Sequence, residues 1–372
     1  VSRTQSNSAF AALNPSIEAD MTMGFRRPLE EDRGLISLKL PIRRAENRMQ
    51  VVESAFKQEL EGLLLQVENT YWDLVLAKNL LLVRKQSYDL AEELRELTRN
   101  QVDVGVQPPI ALTQAKAGVA ARAEAVIVSE GLIHDLEEAL ITYIDMPLHD
   151  RSILKDLELE LPEMEKIKLA PVETLVESAV DRRPEILSAR QAVEIQKIEK
   201  QLVADRRKQQ VDLIGSLRNP GTAGDISSAT DQVMDKHFYS WMLGISWELG
   251  KRRKEDLDYS IAEIELIKTM LTLESTMEMV TAQIRGAYRQ VDIALKRIES
   301  TTSARVLAEE QLEAERERFK LGLATPYDLL LVENDLSNAR SSEVSALVDL
   351  QKSLASLAFS RGVLAESWEV DY

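Results

Sequence analysis

Apolar positions along this chain follow two periods, and the switches between them divide it. From Ser16 to Phe25 the apolar residues Ile17, Ala19, Met21, Met23 and Phe25 alternate with Glu18, Asp20, Thr22 and Gly24. This predicts a strand with one apolar face and one acidic or polar face. Residues 26–34 read as a turn. Ile36, Leu38 and Leu40 then alternate with Ser37 and Lys39 up to Pro41, so a β-hairpin is predicted over residues 16–41. Val211 to Leu217 reads as a further strand, residues 218–225 open a long polar loop, and His237 to Leu249 is the clearest strand of all. There Tyr239, Trp241, Leu243, Ile245, Trp247 and Leu249 share one parity, which places a second hairpin at residues 210–250.

Between these stretches the period is helical. From Ile42 to Val104 no Pro intervenes and Gly62 is the sole Gly, so one helix of roughly 90 Å is expected at the helical rise. Near its end Leu90, Leu94, Leu97, Gln101 and Val104 follow the 4-3-4-3 spacing of a coiled-coil seam. A shorter helix follows from Ile110 to Asp145, giving a helical hairpin over residues 42–146. Residues 147–183 change character: brief alternation, then a short helix at Val172 to Val180, read as a side module joining two halves. A helix over 184–209 precedes the second strand pair. After it, a long helix from about Arg252 to Leu321 and a last helix from Pro326 to about Gly362 form a second helical hairpin over 251–362. Residues 1–15 and the tail 363–372 show no clear period.

The two helical hairpins are copies. Moving Leu90–Leu112 along the chain by 217 positions superposes Leu90 on Leu307, Glu92 on Glu309, Gly105 on Gly322, Pro109 on Pro326 and Leu112 on Leu329. A constant offset marks an internal repeat. In each copy a Gly stops a long helix by taking the left-handed conformation. Four residues later a Pro opens the next helix, where its missing N–H costs nothing. Ile36–Arg44 also matches Ile245–Arg253, at an offset of 209, from which the second long helix is expected to be eight residues longer than the first. Helices 184–209 and 326–362 placed end to end equal one long helix. The corresponding short helix of the first half would precede residue 16, so an N-terminal segment beyond this chain is expected.

Composition narrows the chemistry. Charged residues make up 29% and aromatic residues 5%, which suits long amphipathic helices. A net charge of −16 argues against nucleic acid as a partner. Without Cys there are no disulfides or thiolate metal sites, and His134, His149 and His237 are scattered without ligand spacing, so neither metal nor cofactor is expected. No nucleophile–base arrangement is present, and Gly250 followed by basic residues 251–254 lacks the rest of a phosphate loop, so no catalytic residue is assigned. Arg43, Arg44 and Arg48 read as a surface cluster. No run of eighteen apolar residues could form a membrane helix.

Aromatic residues bounding an apolar stripe on strands of about ten residues are the mark of a membrane β-barrel. No spare amphipathic helix is evident beside the strands to cover that stripe. Tyr239, Trp241 and Trp247 are therefore expected to face lipid as a girdle. Open sheet edges are not viable in lipid, and four strands per chain cannot close a barrel. The expectation is an α+β fold with two structural repeats: a long antiparallel coiled-coil helical tube continued by a membrane β-barrel, as a homotrimer. Glu18, Asp20, Asp212 and Glu248 on the polar strand faces predict a cation-favouring conduit. Asp328 and Asp335, seven apart, are candidates for an acidic ring at its aperture, although the Thr325-Pro326-Tyr327-Asp328 sequence also suits a helix cap. The exposed pairs Val104 and Val106, and Leu321 and Leu323, flank the turn glycines and read as a contact site. A soluble, elongated coiled-coil scaffold is the competing reading.

The chain resembles the TolC-like outer membrane efflux proteins along nearly its whole length. The resemblance rests on Tyr71-Trp72-Asp73-Leu74, Leu90-Ala91-Glu92-Glu93-Leu94, Val104-Gly105-Val106-Gln107-Pro108-Pro109, Arg182-Arg183-Pro184-Glu185 and Leu321-Gly322-Leu323-Ala324-Thr325-Pro326, in that order. It implies a trimeric outer membrane exit duct of a tripartite efflux or secretion system, with a twelve-stranded barrel and a helical tunnel in the periplasm. It also implies an equatorial module at 147–183. Its partners would be outer membrane lipid, a periplasmic adaptor that meets the tips Val104, Gly105, Val106, Pro109, Leu321, Gly322, Leu323 and Pro326, and indirectly an inner membrane pump. Two positions depart from the family pattern. Ala111 stands where an Asp often follows the first tip glycine, and Ala324 stands where a gate Arg can sit.

Overall fold

The computed structural model describes residues 1–144, 169–235, 239–248, 250 and 253–368. Its elements in chain order are β1 (Ser2–Thr4), β2 (Ser16–Pro28), α1 (Ile36–Asp103), α2 (Pro109–Tyr143), α3 (Val172–Val180), α4 (Pro184–Arg206) and β3 (Val211–Ala223). They continue with α5 (Ile226–Met234), β4 (Ser240–Trp247), α6 (Arg253–Lys320), α7 (Pro326–Arg361) and α8 (Leu364–Ser367). Two compact units result, one of residues 1–52 with 189–273 and one of residues 53–188 with 274–372.

The first unit holds a single four-stranded antiparallel sheet in the order β1-β2-β3-β4. Its register sets Met23 opposite Leu217 and Leu217 opposite Trp241, with Phe25, Gly215 and Leu243 in the next row. Helix α4 packs on the start of α1 through Leu40, Ile198 and Leu202. Tyr259 of α6 lies under the Arg207 guanidinium at 4.5 Å, a cation–π contact.

The second unit is helical. Leu74 and Ala77 of α1 pack with Ile133, Leu140 and Ile141 of α2. Leu94 of α1 joins Leu312 and Phe319 of α6 and Leu329, Val332 and Leu336 of α7. Arg183, almost fully buried, binds the Phe359 carbonyl (2.9 Å), Glu185 (2.8 Å) and Gln283 (3.0 Å), tying α4, α6 and α7 together.

Several expectations are overturned. Residues 36–40 are the first turns of α1, not a strand, so the hairpin predicted over 16–41 does not form; β2 pairs with β1 and β3 instead. The physical reason lies in the turn. Asp32 accepts the Ser37 N–H (2.6 Å) and hydroxyl (2.7 Å), while its own N–H donates to the buried Asp205 (2.6 Å). Six residues of alternation also contain the i, i+4 pair Ile36 and Leu40, and it is this pair that packs on α4, leaving Leu38 exposed. Pro41 sits inside the helix near its start. The match at an offset of 209 therefore joins a helix start to a strand end. Both long helices have 68 residues, beginning at Ile36 and Arg253, so the offset of 217 governs their full length and the expected eight-residue difference is absent. β1 falls in the stretch that showed no period. The polar loop after Leu217 is instead the end of β3 followed by α5, an amphipathic helix that covers part of the sheet. Helix α3 occupies the predicted residues, whereas 145–168 of the proposed side module and the basic pair at 251–252 lie outside the described residues.

Candidate functional site

The sheet separates two chemistries largely by parity, with Arg27 and Asn219 as polar exceptions on the apolar face and Ile214 and Met242 as apolar exceptions on the polar face. One face carries Met21, Met23 and Phe25, then Leu213 and Leu217, then Trp241, Leu243, Ile245 and Trp247, and most of these side chains stand exposed. The Phe25 ring lies across Gly215, where a Cβ would stand 2.2 Å from it. Trp241 and Trp247 are therefore on the apolar face, and the Trp247 indole N–H donates to Gln209 (2.9 Å). Tyr239 is exposed just before β4 begins. The opposite face carries Glu18, Asp20, Thr22, Arg26, Asp212, Ser216, Arg218 and Ser246. Sequence reading took its acids and overlooked its arginines. Arg26 pairs with Asp212 (2.7 Å) and Arg218 with Asp20 (3.6 Å), so two of the four acids proposed to favour cations are matched in charge.

Both tips close with the same backbone device. Gly105 and Gly322 take φ of +78° and +70°. The Val106 N–H reaches back to the Gln101 carbonyl (2.8 Å) and Gly105 N–H to Val102 (3.0 Å); Leu323 and Gly322 repeat this with Arg318 (2.9 Å) and Phe319 (3.0 Å). These are Schellman closures, and they satisfy carbonyls that a helix end leaves free. Val104, Val106, Leu321 and Leu323 are all exposed. Pro109 and Pro326 each open the next helix, and Pro326 is fully buried.

Asp328 is held locally rather than aimed at a ligand. It accepts from the Thr325 N–H (2.9 Å) and hydroxyl (2.7 Å), completing a capping box. The Thr325 hydroxyl, backed by the Thr325 N–H and the Arg318 charge, holds its carboxyl below the usual range. Asp335 is exposed one helical stripe further on.

A buried polar clasp that sequence reading missed joins three helices. Arg122 of α2 binds Glu333 of α7 through both Nε (2.9 Å) and Nη2. Arg122 also donates to the carbonyls of Gly118 (3.2 Å) and Leu330 (3.3 Å). Ser87 of α1 donates its hydroxyl to the second Glu333 oxygen (2.5 Å). Nothing in the spacing of Ser87, Arg122 and Glu333 could signal that they meet.

A sequence profile of the family described as "Outer membrane efflux protein" matches residues 175–363, more than half of the chain. The chain belongs to the outer membrane efflux protein family. No curated protein matches it. Among solved structures, the outer membrane protein VceC from Vibrio cholerae aligns at 17% identity with a TM-score of 0.77, over 97% of this chain and 84% of that one. The outer membrane channel CmeC of Campylobacter jejuni gives 16% and 0.73, over 94% and 78%. The open state of the MtrE outer membrane channel of Neisseria gonorrhoeae gives 17% and 0.68, over 94% and 81%. At such identities the likeness is one of fold.

This efflux protein is accordingly an exit duct of efflux systems in the outer membrane. Among the described residues no helix is long and apolar enough to cross a membrane, and no cluster of metal-ligating side chains occurs. Among the described residues the sheet is the element with one largely apolar, mostly exposed face and one largely polar face.

Proposed function

We propose that three copies of this efflux protein close a twelve-stranded barrel in the outer membrane, with the helices in the periplasm surrounding a conduit. Substrates leave through it passively, delivered by a periplasmic adaptor that meets the helix tips and links the duct to an inner membrane pump. One observation carries the reading: a four-stranded sheet with an exposed apolar face, an ion-paired polar face, and β1 and β4 as open edges. Open edges are not viable in lipid, and a rotational oligomer closes them with identical contacts. Exposed apolar stripes on the long helices support it, Leu257, Ile261, Ile264 and Leu271 on α6 and Met49, Val52 and Phe56 on α1. Neighbouring copies would cover them. The two tips per chain give six contact points in a trimer. Asp335 is the remaining candidate for an acidic ring at the aperture, with Asp328 contributing its charge from within the cap.

Mass measurement in detergent, with adaptor cross-linking, tests this. A trimer is expected, and Leu323→Asp should keep the trimer while losing export and cross-linking. A monodisperse monomer would sink the barrel. A Leu323→Asp trimer that cross-links normally but conducts ions more freely would make the tips a gate and not a docking site.

A further inference from the structure

The stretch between β3 and β4 contains a firmly built element. α5 is capped at its start by Asp225, which accepts from the Ser228 N–H (2.9 Å) and the hydroxyls of Ser227 (2.6 Å) and Ser228 (2.7 Å). At its other end Asn219 Nδ2 donates to the carbonyls of Val233 and Asp235, the latter at 2.9 Å. Gln232 accepts the Thr222 N–H (2.9 Å). Between these ends Ala229 is fully buried against Ile17, Ala19 and Ala223, with Val233 packed alongside. The approach is close enough that a Cβ on Gly221 would stand 2.1 Å from the Ala229 carbonyl oxygen.

These contacts fix where α5 lies. Ile17, Ala19, Gly221 and Ala223 belong to the apolar face of the sheet, the same parity as Met23, Phe25 and Leu217. Helix α5 starts beyond Ala223 and ends at Asn219, so it runs back along β3 toward the rows where that face is bare. The row of Met21 and Asn219 is the boundary. On one side of it α5 covers the face. On the other, Met21, Met23, Phe25, Leu217, Trp241 and Leu243 are exposed. Asn219 is the polar interruption of an otherwise apolar run, and its amide is used to cap α5. Met234, the last residue of the helix, is 80% exposed at this boundary. Ile226, at the far end and also exposed, lies eight residues away, about 12 Å at the helical rise.

We propose that α5 marks the edge of the lipid-facing belt: Met234 rests among lipid acyl chains at the rim opposite the strand–helix junctions, and Ile226 stands beyond them in the polar layer. The inference rests on the membrane-barrel reading above. The occupant is lipid because exposed Met234 stands at the boundary row of Met21 and Asn219, beyond which the bare apolar face is of the kind an outer membrane protein turns to lipid. The acids Asp225 and Asp231 keep the remainder of the helix out of the hydrocarbon, and exposed Asp235, directly after Met234, holds that end at the shallow rim, since charges on the lipid face are costly, the more so with depth. Where strands extend past the hydrocarbon their apolar face must still be covered, and α5 does this for Ile17, Ala19 and Ala223.

The chain has no Cys, so single substitutions report without background. Met234→Cys, Ile226→Cys and Leu243→Cys in the full chain would be labelled with bimane and reconstituted in phosphatidylcholine vesicles carrying a doxyl quencher either near the headgroup or deep in the acyl chain. Leu243→Cys should lose fluorescence to the deep quencher and Met234→Cys to the shallow one. Ile226→Cys should respond only to aqueous iodide. Gly221→Leu, which displaces α5, should abolish lipid quenching at Met234→Cys and leave Leu243→Cys unchanged. If Met234→Cys responds only to iodide while Leu243→Cys is quenched by lipid, the boundary role fails and the barrel stands. If Leu243→Cys is quenched by neither lipid probe, the barrel reading fails and this inference with it. If Gly221→Leu leaves Met234→Cys quenched by lipid, the seating on β3 is not what places the helix.

Discussion

Removing one partner of the Arg122–Glu333 clasp should cost far more than replacing both. The side chains are 15% and 7% exposed, so neither charge can recover much hydration when the other is lost. Glu333→Ala leaves the Arg122 guanidinium buried with the Gly118 and Leu330 carbonyls and the Ser87 hydroxyl oxygen (3.1 Å) as acceptors, and leaves the Ser87 hydroxyl without its carboxylate. Breaking a buried pair typically costs about 3–5 kcal/mol. The two remaining carbonyl bonds, at roughly 1.5 kcal/mol each for a charged donor, are already present in the intact protein and so limit the exposure of the orphaned charge. About 3 kcal/mol is therefore the expected loss. The double variant Arg122→Met with Glu333→Leu buries no charge, and such replacements range from neutral to about 4 kcal/mol stabilising. Thermal unfolding in detergent, read together with hydrogen exchange of α2 and α7, compares the variants. Glu333→Ala should unfold well before the parent and exchange faster on both helices, and the double variant should recover most of the loss. A double variant as weak as Glu333→Ala would refute the argument, because the deficit would then arise from packing and not from an unpaired charge.

Three further outcomes follow from the same geometry. Burial pushes the Glu61 carboxyl up from 4.5 to about 7, with the Glu185 and Glu366 charges adding to it and the Arg183 charge and the Ala365 N–H opposing it. A raised folded-state value gives stability that is full below pH 4.5 and lost as pH rises through about 7; melting temperature should fall over that window, and Glu61→Gln should flatten the fall. Trp241→Arg places a charge on the apolar face at a cost of up to about 2–4 kcal/mol, whereas Ser240→Arg has the opposite parity; trimer yield in membranes should drop for the first only, and equal yields would invert the face assignment. Arg26→Gln and Arg218→Gln remove the cations that match Asp212 and Asp20, so reversal potentials across a planar bilayer should shift toward cation preference relative to the parent, and an unchanged potential would place that face away from the conduit.

What the sequence determined by itself is whatever depends on neighbours a few residues apart. The tip turns were legible because a left-handed Gly and a Pro that follows it act through local backbone geometry, and both copies adopt the predicted closure. The long helices were legible from uninterrupted period, and the parity of Trp241 to Trp247 survives in the register of the sheet. Tertiary structure decided what local pattern left degenerate. Ile36 to Leu40 fits a strand and a helix equally well over so few residues, and contact with Ile198 and Leu202 selected the helix. The 217 and 209 offsets together implied long helices of unequal length, and only the two helix starts showed that 217 is the structural one. Helix α5 is nine residues, four of them apolar, too short to stand alone; beyond its local Asp225 cap it is held by Asn219 and Gly221 on a strand it touches only after folding. Ser87, Arg122 and Glu333 lie on three helices, and the arginines of the polar face find their acids across strands. Pairings of that kind are set by how elements pack, which no spacing along one element encodes.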